Sequence, residues 1–266
     1  GYVGKFETTL RLGDGSKTQV SHGAVIVATG GQAVRPKEYL YGDDPRVILQ
    51  TDLEERLAAR EVQARQVVMI QCVGSRDEVR PYCSRFCCGQ ALKNAIALRE
   101  ARPDTDVVIL YRDIRAYGFR ELYYRRAREL GVIFVPYDPE AKPQVEARGD
   151  RLVVTHRTPD GIETTWEPDL LVLSSGVEPP DNQRLAQMLK VPLTEDGFFL
   201  EAHVKLRPLE FAADGVYLCG LAHSPREVEE SMAQAHGAAV RAVALLSKGE
   251  LEAAGIGSFV KQDVAA

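Results

Sequence analysis

Alternating and continuous hydrophobic patterns predict the first strands of the chain. Residues 6–11 alternate between apolar or β-branched and polar side chains, and an Asp14–Gly15 turn leads into a second strand-like segment at 17–20. Alternation on both sides of a glycine turn predicts an antiparallel hairpin. The run Ala24–Ala28 is apolar at every position, which predicts a parallel-sheet strand that is buried on both faces.

The middle of the chain alternates between strand patterns and helix patterns. Residues 32–50 are irregular and contain proline, and Thr51–Glu54 then has the form of a capping box that opens a helix to about Arg60. The elements predicted next are a strand at 67–70, a helix at 88–99, a strand at 106–111, a helix at 118–130, a strand at 132–135, a hairpin turning at 159–161 and a buried strand at 170–173. This order predicts βαβ units around a parallel sheet.

Glycines follow the predicted strands at three places, namely Ala28–Gly31, Ser174–Gly176 and Cys219–Gly220. Such turns let a backbone approach a bound nucleotide or flavin, although a tight turn alone explains each of them. Ser224–Glu227 carries a capping signature that predicts a last helix running to Lys248.

The order of elements predicts a discontinuous organisation. Residues 1–35 and 195–250 form one domain, residues 50–190 form an inserted α/β domain, and residues 251–266 form a C-terminal tail. With 266 residues against about 150 per domain, two domains are expected.

Composition and charge exclude several classes of protein. Apolar residues make up 45 % and charged residues 27 % of the chain, which is typical of a soluble globular protein. A net charge of -5 gives no reason to expect nucleic acid as a partner, and no apolar run is long enough to span a membrane. Because the sequence begins at Gly1, we expect a piece of a longer polypeptide.

Four of the five cysteines lie close together in sequence and predict metal or redox chemistry in a reducing, cytoplasmic compartment. Cys72, Cys83, Cys87 and Cys88 have the spacing C-x10-C-x3-C-C, between a predicted strand and a predicted helix start. Thiolates suit zinc or an iron–sulfur cluster, and the adjacent pair favours a cubane cluster over a zinc knuckle. Buried structural thiols, a Cys87–Cys88 disulfide and a thiol–disulfide centre stay open.

A nicotinamide dinucleotide site receives little support, because the G-x-G-x-x-G fingerprint is missing from the sequence. Lys93, five residues after Cys88, is a cation that could tune a nearby cluster or flavin, although a solvated surface lysine is the commoner explanation. For His203, His223 and His236, surface or hydrogen-bonded structural roles are expected rather than catalysis.

Several segments together resemble the iron–sulfur flavoprotein subunit (the A subunit) of heterodisulfide reductase and its relatives, over most of the chain. The segments are Ile70–Asp77, Tyr82–Cys88, Tyr111–Arg115, Gly197–Phe199 with Glu201–His203, and Lys205–Pro208. The resemblance implies a thioredoxin-reductase-like α/β fold, in which a discontinuous FAD-type Rossmann domain carries an inserted second Rossmann-like domain.

The resemblance also implies the cofactors and their residues. Cys72, Cys83, Cys87 and Cys88 become ligands of a [4Fe-4S] cluster near FAD, and the turn residues Ala28, Thr29, Gly30, Gly31 and Gly220 approach the FAD. The family's FAD pyrophosphate loop would precede Gly1, and its ferredoxin-type cluster segments are missing after Lys248. The partners implied are other members of a redox complex, such as a hydrogenase, a dehydrogenase or a disulfide-reducing subunit.

The leading hypothesis is therefore an electron-transfer subunit that passes electrons between FAD and a [4Fe-4S] cluster. One alternative is an NAD(P)H-dependent disulfide reductase that uses a Cys87–Cys88 or Cys83–Cys87 dithiol. Another is a zinc-stabilised module without enzymatic activity. Iron and sulfide analysis separates these hypotheses.

Overall fold

A computed structural model describes residues 1–158, 160–248 and 250 of the chain. Its strands are β1 (Phe6–Arg11), β2 (Lys17–His22), β3 (Val25–Val27), β4 (Gln32–Ala33), β5 (Val47–Leu49), β6 (Gln66–Val73), β7 (Asp106–Tyr111), β8 (Ile133–Pro136), β9 (Gln144–Arg148), β10 (Arg151–Arg157), β11 (Glu163–Trp166), β12 (Leu170–Ser175), β13 (Val177–Glu178) and β14 (Val216–Leu218). Its α-helices are α1 (Gln50–Ala58), α2 (Cys87–Ala101), α3 (Glu121–Glu129), α4 (Gln183–Leu189) and α5 (Val228–Leu246), with 3-10 turns at Gly118–Arg120 and Gly220–Ala222. The predicted tail at 251–266 and Pro159 of the predicted hairpin turn lie outside the described residues.

A five-stranded parallel sheet in the order β5-β12-β6-β7-β8 holds the largest hydrophobic core. Val67 and Met69 of β6 pack with α1 and α2 on one face of this sheet. Val68 and Ile70 pack on the other face, against Leu152 of the antiparallel sheet β11-β10-β9. Because both faces are covered, the central strands are apolar at successive positions, which is the pattern that predicted them.

A second, smaller parallel pair joins two strands that are far apart in sequence. Residues 25–27 of β3 pair with residues 216–218 of β14, and α5 packs beside this pair through Ala238. The predicted burial of β3 on both faces was wrong, because Ile26 remains 42 % exposed. Within the described residues β3 pairs with β14 alone, and only Val25 and Val27 contact the core below it.

Two helix starts differ from the sequence-based predictions. Helix α1 begins at Gln50, and the Asp52 carboxylate accepts a hydrogen bond from the Leu49 N–H (2.8 Å), so Thr51 is not the cap. Helix α5 begins at Val228 rather than at Ser224 and ends at Leu246, and the Glu230 carboxylate accepts from the Glu227 N–H (2.9 Å). At each start, a carboxylate three residues after the cap position accepts a hydrogen bond from the backbone N–H of the cap residue. The predicted capping boxes have the same hydrogen bond, but they place it at other residues.

The predicted hairpins at β1–β2 and β10–β11 are confirmed by their antiparallel registers. The segment 32–50, predicted to be irregular, contains two strands. Strand β4 pairs with β13, and β5 forms an edge of the five-stranded sheet. The apolar triplet at 47–49 was the available signal for β5, but it is shorter than the runs that identify strands by pattern.

Candidate functional site

The cysteine loop, residues 72–88, connects the carboxyl end of β6 to the first turn of α2. Cys72 departs from extended geometry at the end of the strand, with φ at 61°, and Arg76 and Arg85 also have left-handed φ values of 58° and 66°. Such conformations carry strain in residues other than glycine and persist only where the surrounding structure holds them. The loop therefore takes a shape that β6 and α2 impose from its two ends.

Hydrogen bonds hold the cysteine loop against the end of β12 and against β13. The Ser84 hydroxyl accepts a hydrogen bond from the Val177 N–H (3.0 Å), and the Tyr82 hydroxyl donates to the Val177 carbonyl (3.0 Å). Gly176 lies so close to the loop that a Cβ at this position would meet the Gly74 carbonyl oxygen at 2.4 Å. Only glycine fits this approach, so the predicted turn at 174–176 serves to dock the cysteine loop.

All four cysteines of the loop are free thiols. Cys87 and Cys88 are buried at the start of α2, and Cys72 and Cys83 are half-buried. The Arg85 N–H donates to the Cys83 sulfur (3.3 Å), and the Arg76 guanidinium lies 3.9 Å from the Cys72 sulfur. The Cys87–Cys88 disulfide that the sequence left open is not formed in this structure.

Burial and neighbouring charge shift the pKa values of three of these thiols. Burial raises the pKa of Cys72 to about 11, with negative charge at Cys88 and Cys83 acting in the same direction. The hydrogen bond to Cys88, together with burial and the other two thiols, raises the pKa of Cys87. That same bond lowers the pKa of Cys88, because the Cys87 thiol stabilises the Cys88 thiolate. The four sulfurs thus share one electrostatic environment.

The cysteine loop has suitable ligands for a metal group, but its side chains do not converge on a single metal ion. Among the described residues, no three side chains of the His, Cys, Asp or Glu types converge closely enough to hold a single metal ion. The donor set itself consists of four soft sulfur ligands, which suits an iron–sulfur cluster by its chemistry. The described residues therefore form no closed site for a single metal ion. The four sulfur donors nevertheless all lie in the cysteine loop.

An unpartnered amide lies beside the first of these cysteines. Gln71 precedes Cys72 in β6 and is 0 % exposed, and neither its Nε2 nor its Oε1 has a hydrogen-bond partner in the described part of the chain. Buried polar side chains are nearly always hydrogen-bonded, so this amide needs an explanation. Sequence reasoning missed Gln71, since a glutamine at a strand end carries no motif of its own.

The two glycine turns that were predicted to approach a flavin lie next to each other. A Cβ on Gly31 would lie 3.5 Å from Leu221, directly after Gly220, and 3.0 Å from Val177. Gly30 has a left-handed φ of 76° with open space around its Cβ position. Gly220 has φ at 68° and donates its N–H to the Gln234 side chain (3.0 Å). Ala28 and Thr29 precede this meeting point, and the Thr29 hydroxyl lies 3.3 Å from the side-chain oxygen of Asn182.

A largely apolar groove of about 740 Å³ lies between α2 and the beginning of α5. Phe86 and Gly89 line it on the side of the cysteine loop. Leu221, which follows Gly220, and Met232 of α5 line the opposite side. Lys93 stands at its edge, half-exposed, with its ammonium 2.6 Å from the Glu54 carboxylate. Lys93 is thus paired with a carboxylate of α1 rather than being a lone surface charge.

His223 is hydrogen-bonded through both ring nitrogens, as expected of a structural histidine. Its Nε2 lies 2.8 Å from the Glu201 carboxylate, and its Nδ1 lies 3.0 Å from the Gln234 amide. Burial alone would raise the pKa of Glu201, but hydrogen bonds from its own backbone and from His223 lower it overall. Sequence reasoning missed this group, because its members are 11 and 22 residues from His223.

Comparison with known proteins gives consistent relatives. No family model matches the chain. The chain is 37 % identical to the A subunit of the H2:CoB-CoM heterodisulfide,ferredoxin reductase of Methanothermobacter thermautotrophicus, over 92 % of this chain and 40 % of the relative. It is 38 % identical to the iron-sulfur A subunit of the CoB–CoM heterodisulfide reductase of Methanocaldococcus jannaschii, over 91 % of this chain and 40 % of the relative. The chain therefore spans about two fifths of the length of these curated relatives.

Solved structures identify the fold. The Cu(II) complex of a cysteine-to-serine mutant of the HOCl-induced flavoprotein disulfide reductase RclA from Escherichia coli superposes with a TM-score of 0.60 at 13 % identity, covering 94 % of this chain and 50 % of the other. The thioredoxin reductase of Lactococcus lactis superposes with a TM-score of 0.57 at 17 % identity, covering 91 % of this chain and 74 % of the other. The fold is therefore thioredoxin-reductase-like, as the family resemblance implied.

Proposed function

The chain belongs to the family of heterodisulfide reductase A subunits, and we propose on that basis that it is the part of an oxidoreductase that transfers electrons between FAD and a [4Fe-4S] cluster. Cys72, Cys83, Cys87 and Cys88 are the proposed cluster ligands. The observation that carries the proposal is the presence of four free thiols in one loop, two of them buried at the start of α2.

The surroundings of the thiols support a cluster rather than inert packing. Cys87 and Cys88 stand at the first turn of α2, where free backbone N–H groups and the helix dipole stabilise negative charge. The Arg76 guanidinium lies 3.9 Å from the Cys72 sulfur, and the backbone N–H of Arg85 donates a hydrogen bond to the Cys83 sulfur. Ligand binding requires the thiols to lose their protons. Burial raises the pKa of Cys72 and, together with the hydrogen bond to Cys88, that of Cys87, whereas the positive charge of Arg76 acts against the rise at Cys72.

The FAD part of the proposal rests on the groove and on the two glycine turns. Ala28, Thr29, Gly30, Gly31 and Gly220 are the proposed backbone contacts, in an FAD-type domain formed by residues 1–35 and 195–250. Lys93, paired with Glu54, would present a cation at the edge of the groove. A flavin exchanges either one or two electrons, whereas an iron–sulfur cluster exchanges single electrons. FAD and a cluster together would therefore connect a two-electron redox partner to a one-electron redox partner. The inserted domain, residues 50–190, would hold the cluster.

The names of the relatives support a place in a larger assembly. A relative from Methanosarcina acetivorans, 40 % identical over 91 % of this chain and 33 % of the relative, is the A subunit of a ferredoxin/F420H2-dependent CoB-CoM heterodisulfide reductase. We therefore propose other subunits of a redox complex as partners, in a reducing, cytoplasmic setting. None of the helices in the described residues has both the length and the hydropathy that a bilayer crossing requires.

An iron and sulfide count tests the cluster. The 266-residue chain is reconstituted anaerobically with iron and sulfide, and EPR spectra are recorded after reduction. We expect about four iron atoms per chain and a cluster signal on reduction. The Cys83→Ser and Cys88→Ser variants are expected to lose most of the bound iron and most of the EPR signal. Cys219→Ser is the matched control, because Cys219 is a buried thiol after β14 and lies outside the cysteine loop.

The same measurements distinguish the alternatives. One zinc per chain with no absorbance near about 400 nm would indicate a zinc-stabilised module instead. An iron-free protein with a reducible dithiol would favour a disulfide reductase. If both serine variants kept their full iron content, Cys83 and Cys88 would not be cluster ligands.

A further inference from the structure

We propose that Gln71 is a positioning residue of the cysteine site, whose carboxamide N–H donates a hydrogen bond to a sulfur of the bound cluster. This inference rests on the proposed function. The juxtaposition that carries it is a fully buried amide without a partner in the described part of the chain, directly before the first proposed ligand and on the face of β6 that α2 covers.

Two buried glutamines of this chain differ in their hydrogen bonds. Gln50 is buried like Gln71, but its amide donates to the Ser174 hydroxyl (3.1 Å) and its Oε1 accepts from Asn94 (2.7 Å). Gln71 has neither kind of bond within the described residues, although it is 0 % exposed. Leaving a buried donor unpaired costs free energy that an apolar side chain of similar size would avoid.

The Gln71 side chain faces the helix that carries two of the proposed ligands. Side chains on a strand alternate between the two faces of the sheet. Val67 and Met69 of β6 belong to the core on the α2 face, so the same face holds Gln71. Ala91 of α2 belongs to that core as well, and Cys87 lies one helical turn before it. The amide of Gln71 therefore lies toward the first turn of α2.

Regular strand pairing ends where Gln71 stands. The pairing of β6 with β7 ends at Ile70, and its pairing with β12 is irregular between Leu173 and Ser175. The cysteine loop starts directly after this point. The Gln71 backbone carbonyl is occupied, because the Tyr137 hydroxyl donates to it at 2.7 Å. The backbone carbonyl thus has a partner, whereas both polar atoms of the side chain have none in the described part of the chain.

A cluster sulfur is the partner that this chemistry favours. Thiolate and sulfide sulfurs accept hydrogen bonds, and such bonds are one of the means by which a protein sets the reduction potential of its cluster. A reduced cluster carries more negative charge than an oxidised one. An N–H donor therefore stabilises the reduced form more and raises the reduction potential.

The test compares Gln71→Leu with Gln50→Leu, which also removes a buried amide. In the metal-free chain, chemical unfolding is expected to show no loss of stability for Gln71→Leu and a clear loss for Gln50→Leu. In the reconstituted chain, EPR-monitored redox titration at equal iron content follows. At a fixed ambient potential, the ratio of reduced to oxidised cluster is expected to fall about tenfold in Gln71→Leu, equivalent to about 59 mV. Gln50→Leu is expected to titrate as the wild type does.

A second variant protects the test against a folding defect. Gln71→Glu keeps the shape of the side chain but replaces the N–H donor with a carboxylate, so we expect an even lower reduced fraction. Wild-type titration of Gln71→Leu and Gln71→Glu at full iron content would overturn this inference alone and leave the proposed cluster intact. If the wild-type chain takes up no iron, the proposed function fails and this inference fails with it.

Discussion

Glu210 shows how one buried carboxylate can connect distant segments of this chain. It lies between the guanidinium of Arg207, 2.6 Å away, and that of Arg241 on α5. Burial alone would raise the pKa of Glu210, but the hydrogen bonds from Arg207 and Arg241 outweigh burial and lower it below the usual 4.5. A carboxylate with a lowered pKa stabilises the folded state wherever it is ionised. Its contribution is present above the unfolded-state pKa and is lost as the pH falls through the folded-state pKa.

We predict that Glu210→Gln lowers the free energy of unfolding by about 1.5–3 kcal/mol at pH 7, because two charge-assisted hydrogen bonds are weakened. As the pH falls through the lowered pKa of the folded state, the difference from the wild type should shrink toward zero, since the wild-type carboxylate then becomes protonated as well. Urea unfolding followed by circular dichroism between about pH 7 and about pH 3 measures this. Glu55→Gln, at an exposed position of α1, serves as the control. A difference that stays constant over this pH range would contradict the prediction.

At the scale of single elements, the helix starts depend on which carboxylate faces the free N–H groups. In α1 the Asp52 carboxylate accepts from the Leu49 N–H, and Thr51 is exposed in the first turn. The sequence-based prediction placed the cap at Thr51, whereas the structure uses the carboxylate of Asp52. Packing decides between them, because Leu53 of the same turn is fully buried against the sheet and thereby sets the rotation of the helix.

We predict that Asp52→Ala destabilises the chain by about 0.5–2 kcal/mol, because it removes both a capping hydrogen bond and a negative charge near the helix N-terminus. Thr51→Ala should be neutral or slightly stabilising, since alanine has the higher helix propensity at an exposed position. Thermal and urea unfolding of both variants measures this. Equal losses in the two variants would show that the capping register described for α1 is incorrect.

At the scale of the whole molecule, ion pairs connect the cysteine loop and α3 to the beginning of α5. Arg85 of the loop pairs with Glu230 at 2.6 Å. Arg120, directly before α3, pairs with Glu229 at 2.6 Å and with Glu227 at 3.3 Å. Arg120, Glu227 and Glu229 line the groove between α2 and the beginning of α5, and the Arg85–Glu230 pair joins the cysteine loop to the same end of α5. Charge therefore helps to fix the distance between the loop and α5.

We predict that the double variant Arg85→Ala and Arg120→Ala increases amide hydrogen exchange about fivefold in residues 83–89 and in the first turn of α5, because partly exposed ion pairs contribute about 1 kcal/mol together. Exchange in β10 should not change. High salt should bring the wild type toward the variant, since the pairs are partly exposed. Arg151→Ala is the control, because it breaks an exposed pair with Glu167 that lies away from the groove. Unchanged exchange in both segments would mean that packing alone holds them together.

The local sequence determined the parts of this protein that depend on short-range periodicity and on residue chemistry. The buried strands β6, β7 and β12, the helix after the cysteines, and the four thiols are all readable from runs of a few residues, because burial and side-chain direction repeat with the period of each element. The family resemblance added the fold.

The tertiary structure decided everything that depends on residues far apart in sequence. The short strand β5, the docking of Gly176 on the cysteine loop, the Glu201–His223–Gln234 group and the unpartnered amide of Gln71 within the described residues have no local signature. The starts of α1 and α5 shifted along the chain, because several polar residues could cap each helix and only packing selects one of them. Burial and pairing are properties of the folded neighbourhood, so a residue's partners become known only when the chain has closed around it.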